Sequence, residues 1–241
     1  MCVRDISSCV DSGLSATYLA NHKLSDEIRS FVCRGRLQLL QCNSLLHLYY
    51  GTPKHCYICS FPSDTVSHIL NTCAHFKNMY QKRHNRIVDL IFDRLRYLSN
   101  YQNLEMFKDC ILKPCMFESE DTQFTHPHTR PDIFTIDKDL KHVTITEIAV
   151  PFDAHLDRCY NEKFKKYFPL SRELDEMGYR LTIVVLIIGS LGNVHSRFVS
   201  GLKMIGFRQS SAKCLAKYCS VSAIIGSYQI WKQRCRETNF N

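Results

Sequence analysis

The sequence predicts a mixed chain, α+β giving way to α/β. Three observations carry that. Apolar residues recur at helical spacing through most of the first hundred positions. A stretch rich in Cys and His without periodicity interrupts them. After a polar segment near 116–130 the pattern changes to short apolar strands separated by turns and one long helix. On these shifts the chain divides into a helical N-terminal region at 1–50, a Cys/His segment with a basic helix at 51–115, and an α/β domain at 116–241.

The elements follow in order. Ser25 can cap a helix whose first turn holds Asp26 and Glu27, which suits the positive end of the helix dipole. Ile28, Phe31 and Val32 continue it, with Leu37, Leu40 and Leu45 beyond. Gly35 is a point where this stretch could split. A second helix is expected over 79–99, with Ile87, Leu90, Ile91, Leu95 and Leu98 as its apolar stripe. Lys82, Arg83, Arg86, Arg94 and Arg96 spread over the remaining surface. Residues 116–130, with His126, Pro127 and His128, read as a linker or exposed loop. Ile133–Ile136 and Val143–Val150 read as strands joined by a turn at Asp137-Lys138-Asp139. Leu156 to about Met177 reads as a helix broken at Pro169, with Gly178 just past its end. Arg180–Ile188 reads as a fully buried strand. Gly189 and Gly192 turn the chain into a helix from about Val194 to Ile205.

Composition narrows the class. Hydrophobic residues at 45% and charged residues at 22% argue against global disorder. The apolar run Leu181 to Ile188 is far short of the ~20 residues a membrane helix needs. The first residues, Met-Cys-Val-Arg-Asp-Ile-Ser-Ser, carry no apolar core of a signal peptide, so a secreted protein is not expected. A formal charge of +8 favours a polyanionic partner. Thirteen cysteines, an odd number, suggest metal ligands and free thiols in a reducing compartment.

Two constellations carry chemistry. The first is Cys56-x2-Cys59-x8-His68-x4-Cys73. Zinc takes four N or S ligands in a tetrahedron, and a two-residue gap lets both thiolates of a knuckle reach one ion. His75 could replace Cys73, and His55 stands beside Cys56. The other ten cysteines (Cys2, Cys9, Cys33, Cys42, Cys110, Cys115, Cys159, Cys214, Cys219 and Cys235) are expected to be buried small hydrophobes. The second constellation is a carboxylate pair. Asp132 follows Arg130-Pro131 and opens one strand; Glu147 lies near the end of the next. If Asp137–Lys141 makes the hairpin, both meet at one end of the sheet. Two hard oxygen ligands there make a Mg²⁺ or Mn²⁺ site. Lys163 and Tyr167 are four apart on the following helix, with Lys166 one turn from Lys163, so all three can face the pair. The plainer alternative is a turn-capping Asp132, a solvated Glu147 and a wet lysine face. Asp153 is a third candidate ligand, better suited to a turn after Pro151-Phe152. His142, His155 and His195 have no evident partner.

Taken together, the knuckle, the basic segment Lys82-Arg83-His84-Asn85, Arg-Pro-Asp, a strand ending in Glu, and Glu162-Lys163-x2-Lys166-Tyr167 resemble a known arrangement. It is the C-terminal region of the polyprotein of site-specific non-LTR retrotransposons that carry a restriction-like endonuclease. The resemblance covers roughly residues 25–210. It implies a CCHC zinc knuckle held by Cys56, Cys59, His68 and Cys73, followed by a PD-(D/E)xK restriction-endonuclease-like α/β domain. It implies Asp132 as the first acidic ligand and Glu147 as the second, and nucleic-acid contact through Lys82, Arg83, His84 and Arg86. Ala149 stands where the general nuclease pattern has its lysine, so a helix lysine, Lys163 or Lys166, would replace it.

The implied activity is a Mg²⁺- or Mn²⁺-dependent DNA endonuclease that nicks target DNA to prime reverse transcription, with Tyr167 orienting the lysine. The implied partners are a DNA target and element RNA, with binding that weakens steeply in salt. The C-terminal cluster Lys213, Lys217, Lys232, Arg234 and Arg236 could add to that binding or be a solvated charged face. No Tyr-x-Asp-Asp dyad occurs, so any reverse transcriptase would be encoded elsewhere, and the chain reads as a C-terminal fragment, a decayed copy or a domesticated piece. A chromosomal substrate implies a nuclear protein. The alternative reading is a catalytically dead nucleic-acid-binding relic. A zinc-stabilised interaction protein is the third.

Overall fold

The computed structural model describes residues 9–22, 24–98, 104–117, 124 and 130–238. Cys2 and the linker residues His126, Pro127 and His128 lie outside these.

A short turn of helix, α1 (Ser12–Ser15), is followed by α2 (Asp26–Arg36) and α3 (Asn43–Tyr50). Ser25 caps α2 by accepting from the Ile28 amide, and Asp26 and Glu27 fill its first turn as expected. Gly35 does not split α2. It lies inside the last turn, where a Cβ would come within 2.8 Å of the Leu191 side chain, so its bareness lets helix and loop pack closely. The Cys/His segment is a turn at Cys56–Ser60 and a helical turn at His68–Thr72. From it rises α4 (Lys77–Leu98), which buries Ile87, Val88, Ile91 and Leu95.

The sheet has four strands in the order β1 (Leu104–Lys108), β2 (Ile133–Asp137), β3 (His142–Ala149), β4 (Arg180–Ile187). The first three run antiparallel, and β4 joins β3 in parallel. A parallel neighbour needs a crossover, supplied by α5 (Leu156–Tyr167) and α6 (Leu170–Glu176), which break at Pro169 as the sequence predicts. Gly178 takes φ +79 past the end of α6. Asp137 accepts from the Leu140 amide and turns the β2–β3 hairpin.

Alternation along the strands separates two cores. Phe134, Ile136, Val143 and Ile145 face Tyr167, Leu170 and Leu174 of α5 and α6. Ile133, Ile148, Val184 and Leu186 face α4, α7 (Phe198–Met204) and α8 (Gln209–Thr238). A third core joins Phe31, Val32, Ile69, Leu70 and Phe76 to Ile224 and Ile230 of α8.

Several expectations need correction. β4 is fully buried only in its second half, where Val184 and Leu186 join Phe198 and Leu202 of α7 in one core; Arg180 is exposed and the next three residues half-buried. The helix expected from Val194 begins at Phe198, since Val194 and His195 are taken up in bridges to Ile188 and Val10. Cys33, Cys115 and Cys214 are exposed rather than buried. Strand β1 and the long helix α8 were not foreseen. β1 is a short edge strand with charges at Glu105 and Lys108. α8 touches α1, α2, α4 and α7, so its buried residues wrap it and leave no single apolar stripe to read.

Candidate active site and metal centre

The carboxylate site follows from strand register. Ile133 stands opposite Thr146 and Asp137 opposite His142. One step further out, the same register sets Asp132 across from Glu147. Pro131 ends the regular ladder, and Asp132 uses its side chain to finish it: Oδ2 accepts from the Ile148 amide at 2.7 Å. The same oxygen lies 3.4 Å from His84 Nε2, which also meets the Ile148 carbonyl at 3.1 Å. A nitrogen facing a carbonyl is a donor, so Nε2 carries the proton.

Glu147 is 2% exposed. Lys163 Nζ donates to its Oε1 at 2.6 Å and Lys166 Nζ to the same oxygen at 3.3 Å. Both lysines therefore reach the site. Lys166 also donates to the Tyr167 hydroxyl at 2.8 Å, which in turn donates to the Arg130 carbonyl at 3.1 Å. Tyr167 is wholly buried and so positions Lys166 and Arg130 rather than meeting solvent. The second Glu147 oxygen, Oε2, is buried without a protein partner. A buried orphan acceptor beside a second carboxylate is what a cation site offers.

Charges at the site are set by these contacts. Burial works to raise the Asp132 carboxyl, but the hydrogen bond and charge of His84, the Ile148 amide and the Lys163 charge outweigh it and hold it below the ordinary range. Burial opposes charge on His84 too, yet Asp132, Asn85 and the Ile148 carbonyl lift it to about 8. Lys163 is raised against its burial by Glu147, with a contribution from Asp132. Burial and the Glu147 charge push the Tyr167 hydroxyl up, so it stays a donor.

Asp132 opens into a cleft of about 560 Å³ between α4 and the end of β1, lined by Gln81, His84, Asn85, Lys108 and Asp109. Asp109, whose amide donates to the Asp132 carbonyl at 2.9 Å, was not anticipated. Nor was the contact of His84 with Asp132. Only a foreseen β1 would have found the first, and only the packing of α4 on β3 the second.

The Cys/His segment brings together the four residues named from spacing. The ligand atoms of Cys56, Cys59, His68 and Cys73 all lie within 4.8 Å of one another, the one such cluster among the described residues. Cys59 Sγ is 3.3 Å from His68 Nε2, and Thr72 Oγ1 holds Nδ1 at 3.2 Å, leaving Nε2 to face the thiols. Phe61 stacks on the His68 ring with centroids 4.6 Å apart. Burial first, then Cys59 and Cys56, push the Cys73 thiol up to about 12. A cation among such groups restores the thiolates. The Cys₃His set fits a metal such as zinc. His75 is not part of it; its Nε2 pairs with Glu237. His55 stands edge-on to Tyr57.

The expected nucleic-acid residues divide. Lys82 and Arg86 are exposed. Arg83 is a correction: it is 4% exposed, donates to Ser227 Oγ at 2.7 Å and to the Val150 carbonyl at 3.3 Å, and burial pulls it down to about 10. Its stem lies where a Cβ on Gly226 would come within 2.7 Å, so that glycine is what admits it. His84 is turned to Asp132, on the opposite flank of α4 from Lys82 and Arg86. Asp153 has the turn role: it is buried and accepts from the Leu191 and Asn193 amides at 2.7 and 3.2 Å. His142 meets Thr182 Oγ1 at 2.8 Å, and buried His195 meets Asp157 at 2.9 Å under the Tyr160 ring. No described helix is long and apolar enough to cross a membrane.

Neither a family model nor a curated protein matches the chain. Among solved structures, an N-terminal domain of a reptarenavirus L protein is similar over 60% of this chain and 76% of that one, at 18% identity and a TM-score of 0.33.

Proposed function

We propose that the chain is a metal-dependent endonuclease of the PD-(D/E)xK kind that hydrolyses phosphodiester bonds in DNA, with a zinc knuckle beside it. The observation that carries this reading is Asp132 opposite Glu147, with Lys163 bonded to Glu147 and within electrostatic reach of Asp132. Asp132 and Glu147 would hold Mg²⁺ or Mn²⁺, which supplies charge neutralisation at the scissile phosphate and activation of water. The residues around the pair do the rest. Lys163 anchors Glu147 and places an ammonium where negative charge develops. Lys166 takes its place from Tyr167. His84 fixes Asp132 from the α4 side.

The order of these parts, with the Cys₃His cluster before them, supports an origin in a non-LTR retrotransposon polyprotein. On that reading the substrate is chromosomal DNA and the protein works in the nucleus. One observation favours a second reading, a nucleic-acid-binding relic without catalysis: two ammoniums already neutralise Glu147. Nicking of supercoiled plasmid by zinc-loaded protein separates the two. With Mg²⁺ or Mn²⁺ the plasmid is expected to open, and Asp132→Asn and Asp132→Ala to abolish opening. Folded protein that leaves the plasmid intact in both metals overturns the nuclease.

A further inference from the structure

Helices α4 and α8 lie antiparallel, with Arg83 beside Gly226, and their outer seam forms a groove. At one end it is a cleft of about 430 Å³ whose rim carries Lys82, Arg86, Lys232 and Arg236, with Gln229 and Gln233 between them. No carboxylate lines this cleft, and Glu27 pairs with Lys232 from outside it at 3.4 Å. At the other end, past the middle of α4, Arg94 stands with Tyr97 and Tyr218 around a smaller pocket of about 210 Å³ floored by Phe207 and Leu215. Tyr97 is 88% exposed and Tyr218 is 51% exposed. From Lys82 to Tyr97 the helix rises about 22 Å, long enough for several nucleotides.

The carboxylate cleft lies on the opposite flank of α4, where Gln81, His84 and Asn85 point. The seam is therefore a separate surface. Cations in a row attract phosphates, and exposed aromatic rings offer faces to bases. A duplex keeps its bases stacked inside and has no use for the two tyrosines. Carboxylates alone would meet the cations but leave both ring faces uncovered.

We propose that the α4–α8 seam is a track for a single nucleic-acid strand. Its phosphates run along Lys82, Arg86, Lys232 and Arg236, and its bases stack on Tyr97 and Tyr218. This deepens the nuclease reading, because it names the form of strand the protein holds, but binding is read separately from cleavage.

The test is fluorescence anisotropy with the full zinc-loaded chain and no added Mg²⁺. The probes are labelled 20-mers of oligo-dT and oligo-U, and a labelled 20-base-pair duplex. Both single strands are expected to bind more tightly than the duplex; a preference between them tells DNA from RNA. Lys82→Ala with Arg86→Ala, and Lys232→Ala with Arg236→Ala, each should weaken binding at least about 10-fold and lower the salt slope by about 1.4, two contacts' worth. Tyr97→Leu and Tyr218→Leu should each weaken it on the order of 10-fold with the slope unchanged. All six side chains are exposed, so the fold should survive. Tyrosine variants that bind like the parent, a preference for duplex, or equal displacement by polyglutamate would each overturn the track. Strand binding without nicking overturns the nuclease alone; nicking with affinity indifferent to these variants overturns the track alone.

Discussion

The Cys/His cluster and the carboxylate site sit at opposite ends of the same logic. The four ligands of the first come from one segment, 56–73, and local turns bring them together. The second draws Asp132 from one strand, Glu147 from another, Lys163 and Lys166 from α5 and His84 from α4. In the first, the chain needs only to bend. In the second, the sheet register and two helix dockings must all be right. The difference teaches where each site would break: the cluster on losing a metal held by its four ligands, the carboxylates when packing shifts.

The largest effect expected is from removing the ion. Chelation, or Cys56→Ser, should cost on the order of 5 kcal/mol and lower Tm by roughly 10–20 °C, with amide exchange rising first over 51–76. An unchanged Tm would mean the four residues hold nothing. Next comes the buried pair of Arg234 with Asp64, which ties α8 to the loop between Cys59 and His68 inside the cluster. Arg234→Leu removes the cation facing buried Asp64 and leaves it only the Asn43 amide, and should cost about 3–5 kcal/mol in denaturant unfolding. A similar loss on Asp64→Asn would show that the pair acts as a unit.

At the carboxylates, Glu147→Gln should slow plasmid nicking by roughly 10²–10³-fold. Lys163→Met should slow it more than Lys166→Met, since Lys163 makes the shorter bond to Glu147. Equal effects would assign the two ammoniums one shared role. The smallest effect belongs to His84. Its imidazole titrates at about 8 when folded, above the ordinary value of about 6.5. A raised value means the contribution is full below pH 6.5 and is lost as pH climbs through 8. Without added divalent metal, Tm should fall between pH 6.5 and 8.5 by an amount worth on the order of 1 kcal/mol. His84→Gln should flatten that slope.

The same contrast governs what could be read in advance. Spacing alone names Cys56, Cys59, His68 and Cys73, because a knuckle is a local object. Asp132, Glu147, Lys163 and Lys166 were legible because hairpin and helix periods place them on facing positions. Arg83 was misread: from the sequence it is one more cation on a basic helix, and only a glycine 143 positions later on α8 makes room for it inside. Asp109 and the helix that carries the C-terminal cations were hidden for a related reason, although Lys232 and Arg236 stand out as part of a basic cluster. β1 is a short charged edge, and α8 is apolar on too many sides to show a stripe.

Helix α4 carries one more consequence. Its two flanks serve different surfaces, and Arg83 and Ile87 fix its rotation between them. Each added or deleted residue would turn the far end by about 100°. With Arg83 holding the near end and His84 on Asp132, Tyr97 would leave Tyr218. Within α4, descendants of this sequence should vary in composition but hold the length between Arg83 and Tyr97 constant.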